Sequence, residues 1–414
     1  MKSTGGAERE VGAQAVARPL SVCYVTMQFP NPSETFASHD VRQLAALGVD
    51  VSVHSLLPRH RNAEALTAER HLDDIRVTHG GGSEIIRGLG AAAVRPLLAL
   101  RLIAWILRWC WRRPRHLVRS LALCPRAMGV HGSIRRRRPD VVHLFWGHYP
   151  SMVGFLAQQG AAPPRVSMFL GAYDLEMDYG GSAPVARSAD VVWTHARANI
   201  DLLLQMGIPR DDIVVAYRGT DMNMYGACRQ KAPARLVSIG RLIPEKGMDD
   251  ALETFATVRR SAPDVTLVVL GDGPERARLE ALAEDLGVLS AVAFKGHVSH
   301  EQVIQELCAA KVFLMMSRKP SERLPNVVKE AMGCRSLCVV SETPGIEELI
   351  EHGRSGYVVE QGDTASAARR VLDGLADDES RKTMTDMAYQ HLEKHFALAD
   401  SMTTYRDAWQ ALVE

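Results

Sequence analysis

Two glutamates, Glu322 and Glu330, flank a predicted helix start in the segment SRKPSERLPNVVKEAMG at 317–333. The upstream apolar run KVFLMM is typical of a buried parallel strand, and Pro325 suits the first turn of a helix. The free N–H groups and dipole of that helix end can hold an anion. An anion site between two carboxylates, which accept hydroxyl hydrogen bonds, fits a sugar nucleotide; two solvated glutamates on a surface helix are the alternative.

A second segment places two cations in the same α/β series. The sequence RLVSIGRLIPEKG at 235–247 reads as a strand that ends at Gly240, followed by a short loop carrying Arg241 and Lys246. Ligands of parallel sheets bind at the carboxyl ends of the strands. A planar guanidinium and a mobile ammonium at that position suit a diphosphate. The two segments together favour a nucleotide-sugar site over isolated surface charges.

Residues 235–375 resemble the donor-binding domain of the retaining glycosyltransferases of family 4, which have the GT-B fold. The matching segments are GRLIPEKG (240–247), VTLVVLGDGPER (265–276), VAFKGHV (292–298), SERLPNVVKEAM (321–332) and PGIEELIEHGRSGYVV (344–359). The resemblance implies that Arg241 and Lys246 hold the diphosphate, Glu322 meets the donor sugar, and Glu330 holds the ribose. It assigns catalytic roles to Arg241, Lys246 and Glu322, and donor binding to Gly240, His297, Val298, Leu324, Pro325, Asn326, Val327 and Glu330.

The N-terminal half resembles the exopolysaccharide branch of that family, of the colanic acid type. The segments are FPNPSETFASHDVRQL (29–44), HLFWGHYPS (143–151) and GAYDLEM (171–177). By this resemblance the acceptor-binding residues are Ser33, Glu34, Thr35, Phe36, His148, Tyr173 and Asp174. The chain departs from its relatives at Gly171, where they carry a histidine, and at Arg323 and Arg335, where they often carry glycine.

The whole chain alternates apolar strands with amphipathic helices, which predicts an α/β protein with parallel sheets and crossover helices. A second strand series begins at Arg235 after a poorly patterned stretch. We therefore predict a disordered tail at 1–19, an N-terminal acceptor-binding domain at 20–225 and a donor-binding domain at 226–380. By the GT-B resemblance, helices at 381–414 pack back on the N-terminal domain.

Composition restricts the classes of function and ligand. The 414 residues carry a net charge of +1, which gives no general attraction for nucleic acid. The seven cysteines form no CxxC motif, which predicts reduced, buried thiols in a cytosolic protein. No metal-ligand cluster and no acidic DxD triplet is visible, so we expect no cofactor and no metal requirement beyond the sugar-nucleotide substrate itself.

The stretch 85–139 holds thirteen arginines and no acidic residue, with Trp105, Trp109 and Trp111 interleaved. Its longest unbroken apolar run is six residues, far below the ~20 that a spanning helix needs. A cationic amphipathic surface with tryptophans is typical of helices that lie in an anionic bilayer interface. We predict peripheral attachment to the inner face of a membrane; core-packed helices with a solvated basic face are the alternative, and nucleic-acid binding is disfavoured because no recognition motif accompanies the charge.

These patterns together predict a two-domain GT-B glycosyltransferase. It would move a sugar, with retention of anomeric configuration, from a nucleoside diphosphate sugar to a glycan or lipid-linked acceptor in polysaccharide or glycoconjugate synthesis. Two alternatives stay open: a non-catalytic, membrane-docked partner with the same fold, and a nucleotide-sugar epimerase or phosphorylase.

Overall fold

Two parallel sheets form the framework of the chain. The structure, a computed structural model, describes residues 18–32, 34–160, 162–225, 228, 231–232 and 234–414. The first sheet has seven strands in the order β3-β2-β1-β4-β5-β6-β7, and the second has six in the order β10-β9-β8-β11-β12-β13. In each sheet the strand order switches direction next to the first strand of the series, between β1 and β4 and between β8 and β11. Ligands of such sheets bind in the crevice at the carboxyl ends of the strands that flank this switch point. The predicted α/β fold with two Rossmann-like domains is confirmed.

The strands coincide with the valine-rich runs of the sequence. They are β1 (Ser21–Thr26), β2 (Asp50–Ser55), β3 (Arg76–His79), β4 (Val141–Leu144), β5 (Arg165–Phe169), β6 (Val191–Thr194), β7 (Ile213–Val215), β8 (Arg235–Ile239), β9 (Thr266–Leu270), β10 (Val292–Gly296), β11 (Val312–Met315), β12 (Leu337–Ser341) and β13 (Tyr357–Val359). Most are buried on both faces, because crossover helices cover each sheet on two sides.

The helices fill the crossovers and the C-terminal end. In the first half they are α1 (Thr35–Ala46), α2 (Ala63–Glu69), α3 (Gly82–Val94), α4 (Pro96–Cys110), α5 (Pro114–Arg137), α6 (Ser151–Ala157), α7 (Ala172–Met177), α8 (Ser182–Ala186) and α9 (Ile200–Gln205). In the second half they are α10 (Met248–Ser261), α11 (Arg276–Asp285), α12 (His300–Ala309), α13 (Asn326–Gly333), α14 (Thr364–Ala376), α15 (Asp378–His395) and α16 (Leu398–Val413).

The last two helices belong to different cores. Buried Ala388 and Leu392 of α15 pack with the second sheet, whereas Trp409 of α16 is fully buried against the first. The Trp409 indole donates to Ser167 Oγ on β5 at 2.8 Å. We predicted that helices at 381–414 pack back on the N-terminal domain. The structure shows this packing for α16, whereas α15 packs on the donor-side domain.

Hydrogen bonds between side chains and main-chain groups join the two domains beside the cleft. The carboxylate of Glu348 accepts from the N–H of Arg197 at 2.9 Å and of Ala198 at 3.1 Å. The buried ammonium of Lys329 donates to the carbonyl of Arg218 at 2.8 Å. Both links are side chain to main chain, and both connect segments more than a hundred residues apart.

The arginine-rich stretch folds into α3, α4 and α5, which pack on one another beside the first sheet. One part of the prediction is wrong: Trp105 is buried and stacks on Phe155 at 5.1 Å, because it faces the core side of α4. Trp109 is half-buried and Trp111 is 61% exposed. Across the described residues, no lone helix is long and apolar enough to span a bilayer, although α3 and α4, bent by 109°, pass that test as a pair.

The cysteines do not all stay reduced as predicted. Cys228 and Cys308 form a disulfide with a Cα–Cα distance of 4.8 Å. Sequence spacing did not indicate it because Cys228 precedes the second sheet and Cys308 ends α12. The sulfur of Cys334 lies near the pair, and the remaining thiols are free and largely buried. The predicted tail at 1–19 falls almost entirely outside the described residues.

Candidate active site

The carboxyl edge of the second sheet brings Lys246 and Glu322 together. The strands β8 and β11 are neighbours in register, so the loops that follow them meet at this edge. There the ammonium of Lys246 forms an ion pair with the carboxylate of Glu322, and both side chains are mostly buried. Ser317 Oγ adds a hydrogen bond to the same carboxylate oxygen at 3.3 Å. The loop lysine and the loop glutamate predicted from sequence thus form one site.

Gly247 allows the loop after β8 and the loop after β11 to lie against each other. Its φ is +60°, and a Cβ there would lie 1.8 Å from the carbonyl oxygen of Met316, which only glycine avoids. The N–H of Arg318 donates to the carbonyl of Glu245 at 2.8 Å, and the Arg318 guanidinium pairs with Asp249 and Asp250. The two loops are therefore tied together along their length.

The predicted helix start is observed at α13. Pro325 lies just before it with extended backbone, Asn326 and Val327 open the first turn, and Leu324 adopts a left-handed φ of 45°. The carboxylate of Glu330, one turn further on, accepts a hydrogen bond from His300 Nε2 at 3.1 Å. The hydrogen bond to Glu330 raises the pKa of His300, so the charged pair is favoured.

The other predicted donor residues line the same edge without pairing. Gly240 directly follows β8, and the exposed Arg241 beside it forms no ion pair with any described residue. His297 is exposed on the loop after β10, and Val298 packs against the donor-side core. A free guanidinium at this edge remains available for an anion.

Across the cleft, aromatic rings surround a cation that the sequence did not single out. The guanidinium of Arg218 lies 3.8 Å from the ring centre of Phe36 and 4.7 Å from that of Phe169. Phe36 and Thr35 line the cleft together with Glu330 and Asn326. Thr35 and Phe36 of the SETF segment thus face the donor-side domain.

Buried charges next to Arg218 form a network between the domains. Burial raises the pKa of Asp40 to about 6 and lowers the pKa of Lys329 to about 7. The positive charges of Arg218 and Lys329 partly offset the raised value of Asp40. Neither Asp40, Lys329 nor Arg218 was predicted, because each lies in an ordinary amphipathic pattern and meets the others only in the fold.

The remaining residues that were predicted to bind the acceptor differ in how deeply they are buried. Asp174 is buried at the start of α7 and accepts from the N–H groups of Gly147 at 2.8 Å and Gly171 at 3.1 Å. Burial raises the pKa of Asp174 to about 7 and lowers the pKa of His148 to about 3. His148 is thus a neutral ring under Trp146 and beside Asp174, while Tyr173 is 53% exposed. Burial raises the pKa of Glu34, and Ser33 lies outside the described residues.

His195 lies beside Gly171 and was missed by sequence reasoning. A Cβ at Gly171 would come within 3.4 Å of the His195 ring, and that ring stacks on Phe169 at 5.7 Å. The main chain of Arg323 lies within hydrogen-bonding reach of the same imidazole. The motif DVVWTHA could have indicated it, because a polar residue directly after a buried parallel strand points to the carboxyl edge.

The cleft is narrow between Phe36 and Glu330. The cavity between Phe36, His39, His300 and Glu330 has a volume of about 30 Å³, whereas small-molecule sites occupy roughly 300–1,000 Å³. A larger cavity of about 560 Å³ opens at the amino ends of β4 and β5, at the opposite edge of the first sheet. A nucleotide in this part of the cleft would therefore have to widen it and displace the His300–Glu330 pair that lines it.

We predict that His300 makes nucleotide-sugar affinity depend on pH. Pairing with Glu330 raises the pKa of His300, so the pair stabilises the unliganded protein fully below the usual histidine pKa of about 6.5. That stabilisation is lost as pH rises through the raised value. Affinity of wild type should thus increase with pH across this window, and His300→Ala should bind more tightly at low pH with a flatter profile. Calorimetry at several pH values decides: parallel profiles for both proteins would contradict the competition.

Comparison with known proteins agrees with this geometry. Residues 229–391 match the family profile described as glycosyl transferases group 1. The amylovoran biosynthesis glycosyltransferase AmsK of Erwinia amylovora is 25% identical over 394 residues, covering 86% of this chain and 92% of that protein. The colanic acid biosynthesis glycosyltransferase WcaL of Escherichia coli, itself named as putative, is 31% identical over 176 residues, covering 41% of this chain and 43% of that protein.

Solved structures show the same fold over nearly the full length. The Anabaena protein Alr3699/HepE in complex with UDP superposes with a TM-score of 0.70 at 17% identity, covering 95% of this chain and 100% of that one. A glycosyltransferase of Rickettsia africae gives 0.70 at 13% identity, covering 96% and 99%. The chain is therefore a glycosyltransferase with the GT-B fold, and its residues 229–391 match the group 1 family of these enzymes.

Proposed function

We propose that this glycosyltransferase moves a hexose-type sugar from a nucleoside diphosphate sugar to a glycan or lipid-linked acceptor, with retention of configuration and without a divalent metal. The observation that carries the proposal is the Lys246–Glu322 pair at the carboxyl edge of β8 and β11. Arg241 lies on the same loop as Lys246 and forms no ion pair with any described residue. HepE, with the same fold, has been solved with UDP-glucose, which supports a nucleotide-sugar donor here.

The site residues supply charge stabilisation for the leaving group. As the glycosidic bond breaks, negative charge grows on the diphosphate, and Arg241, Lys246 and the first amides of α13 stabilise it in this proposal. Glu322, released from Lys246 by the phosphate, then accepts hydrogen bonds from sugar hydroxyls. The acceptor oxygen attacks on the leaving-group face and passes its proton to the diphosphate, so the mechanism needs no enzymic base.

Transfer and hydrolysis assays test this proposal and separate it from its alternatives. Purified protein is incubated with a panel of nucleoside diphosphate sugars, with membranes from an exopolysaccharide-producing bacterium as acceptor source, and with or without chelator. We expect release of nucleoside diphosphate that is unchanged by chelator and lost in Glu322→Gln. Metal-dependent turnover would overturn the metal-free mechanism; nucleotide binding without any turnover would favour the non-catalytic partner.

The acceptor side of the protein is suited to a membrane surface. The α3–α5 face carries exposed apolar side chains between its arginines, with Val94 79% exposed, Leu97 73% and Trp111 61%. The Arg112 guanidinium lies over the Trp111 ring at 4.8 Å. Apolar side chains at this exposure beside cations are typical of surfaces that enter a bilayer interface. We infer that this face docks on anionic lipid at the cytoplasmic side and presents the cleft to lipid-linked acceptors.

Vesicle co-sedimentation tests the docking surface. We predict that wild type binds anionic vesicles at low salt and that Arg108→Gln, Arg112→Gln and Arg115→Gln together weaken binding, at about 1 kcal/mol for each arginine near the surface. Arg113 is left unchanged because it already pairs with Asp178. Arg354→Gln, on the donor-side domain, is the control and should bind as wild type does. Equal binding of the triple variant would show that these arginines are only solvated.

A further inference from the structure

We propose that Arg323 recognises a carboxylate on the sugar substrate, so that this enzyme handles an acidic sugar such as a hexuronate. The inference deepens the proposed function and depends on it. It starts from the position of Arg323, which directly follows Glu322 in the loop that meets Lys246. Because Glu322 is proposed to face the donor sugar, its neighbour Arg323 lies close enough to contact a substituent on that sugar.

The Arg323 guanidinium is not neutralised within the protein. Among the described residues it takes part in no ion pair, and its one hydrogen bond, to the carbonyl of Pro320, is long at 3.5 Å. Its Nε is buried and has no hydrogen-bond partner. A half-buried guanidinium with an unsatisfied donor is costly to the protein alone, and a carboxylate ligand would satisfy it.

The surroundings hold the Arg323 side chain at the cleft. Leu324, in the left-handed conformation, turns the loop directly after it, and the His195 ring meets the main chain of Arg323 from the opposite domain. The charge of Glu176 on α7 acts on Arg323, but the two side chains form no ion pair among the described residues. The arginine therefore reaches from the donor loop towards the acceptor-side domain without a partner there.

The chemistry of the free group selects the ligand. A guanidinium binds a carboxylate through two parallel hydrogen bonds, a geometry that a neutral hydroxymethyl group cannot reproduce. A site with a charged hydrogen-bond donor for a substrate group discriminates strongly against an analogue that lacks that group, because the donor is then left unpaired. The diphosphate already has Arg241 and Lys246 within the same edge, so the carboxylate of a sugar is the better match for a third cation one residue beyond Glu322.

Arg335 provides a matched control. It is the second arginine at a position where relatives often carry glycine, but its guanidinium pairs with Asp386 at 2.9 Å and stacks on Tyr389 at 3.9 Å. Its charge is already neutralised. Arg335→Gln should therefore leave sugar preference as it is in wild type.

Binding measurements on the full chain test the inference. Affinities are measured for UDP-glucuronate against UDP-glucose and for GDP-mannuronate against GDP-mannose, with UDP and GDP alone as references. In a second arm, transfer is compared between acceptor oligosaccharides ending in glucuronate and in glucose. We expect the acidic member to be preferred about 10- to 100-fold in one arm, Arg323→Gln to abolish that preference, and Arg323→Lys to keep part of it.

The two arms distinguish the source of the carboxylate, since a preference in the first places it on the donor and in the second on the acceptor. Binding of nucleotide sugars with no preference for acidic sugars in either arm would overturn the inference while leaving the proposed function intact. An equal loss of UDP affinity in Arg323→Gln would also overturn it, because the arginine would then read phosphate. Failure of every nucleotide to bind would overturn the proposed function and this inference together.

Discussion

Lys246→Ala and Glu330→Ala are each expected to lower nucleotide-sugar affinity by about 1–3 kcal/mol, the cost of losing one charged hydrogen bond. In the unliganded protein these residues hold Glu322 and His300, respectively. Because each is already held by an opposite charge, the ligand gains only the difference between the new contact and the old one. Calorimetric titration of wild type and the variants with the donor identified in the transfer assay measures this change in binding free energy.

The control for these variants is a lysine in an equivalent ion pair at the other edge of the sheet. Lys311 pairs with Asp378 at 2.8 Å, at the amino end of β11. Lys311→Ala should bind nucleotide as wild type does. If Lys246→Ala and Glu330→Ala bind as tightly as Lys311→Ala, the nucleotide does not occupy the carboxyl edge of the second sheet.

Trp409→Ala is expected to destabilise the N-terminal domain by about 3–5 kcal/mol, the usual cost of deleting a buried tryptophan side chain. Trp409 is fully buried, and its ring packs 5.2 Å from His143 and 5.3 Å from Tyr405. The substitution leaves a cavity and removes one of the donors that meet at Ser167. Urea unfolding followed by far-UV circular dichroism should show the lower midpoint.

Trp111→Ala is the matched control for that cavity. The same residue type is removed from an exposed position on α4's end, where substitutions usually change stability by less than about 0.5 kcal/mol. A comparable loss of stability in both variants would mean that α16 does not anchor the N-terminal core. Since Trp111 belongs to the proposed membrane face, the control is run without lipid.

Neighbouring strands explain why part of the site was predictable. Gly240 and Ser317 each follow an apolar run, and parallel strands that end with loops at one edge must bring those loops together. The Lys246–Glu322 contact therefore follows from local pattern plus topology, although 76 residues separate the pair. The anion-binding start of α13 was predictable for the same reason, from Pro325 and the helical pattern after it.

Contacts between the two domains were not predictable, because they depend on how two independently patterned sheets meet. Lys329 reads as a solvated lysine in NVVKEAM, yet it is buried and bonded to the carbonyl of Arg218. His195 was likewise not singled out, and Phe36 was predicted only as an acceptor-binding residue, yet both approach donor-side residues across the cleft. Trp105 shows the same limit within one domain, since the arginine pattern did not fix which side of α4 faces the core.

The links made by Glu348 and Lys329 allow the residues that they contact to change type during evolution. Each acidic or basic side chain contacts peptide groups, at Arg197, Ala198 and Arg218, so the partner's side chain is irrelevant to the bond. The N-terminal segments can therefore change residue type without a compensating change at 348 or 329. An acceptor-side domain can drift towards a new glycan while its alignment with the nucleotide-binding half is inherited unchanged.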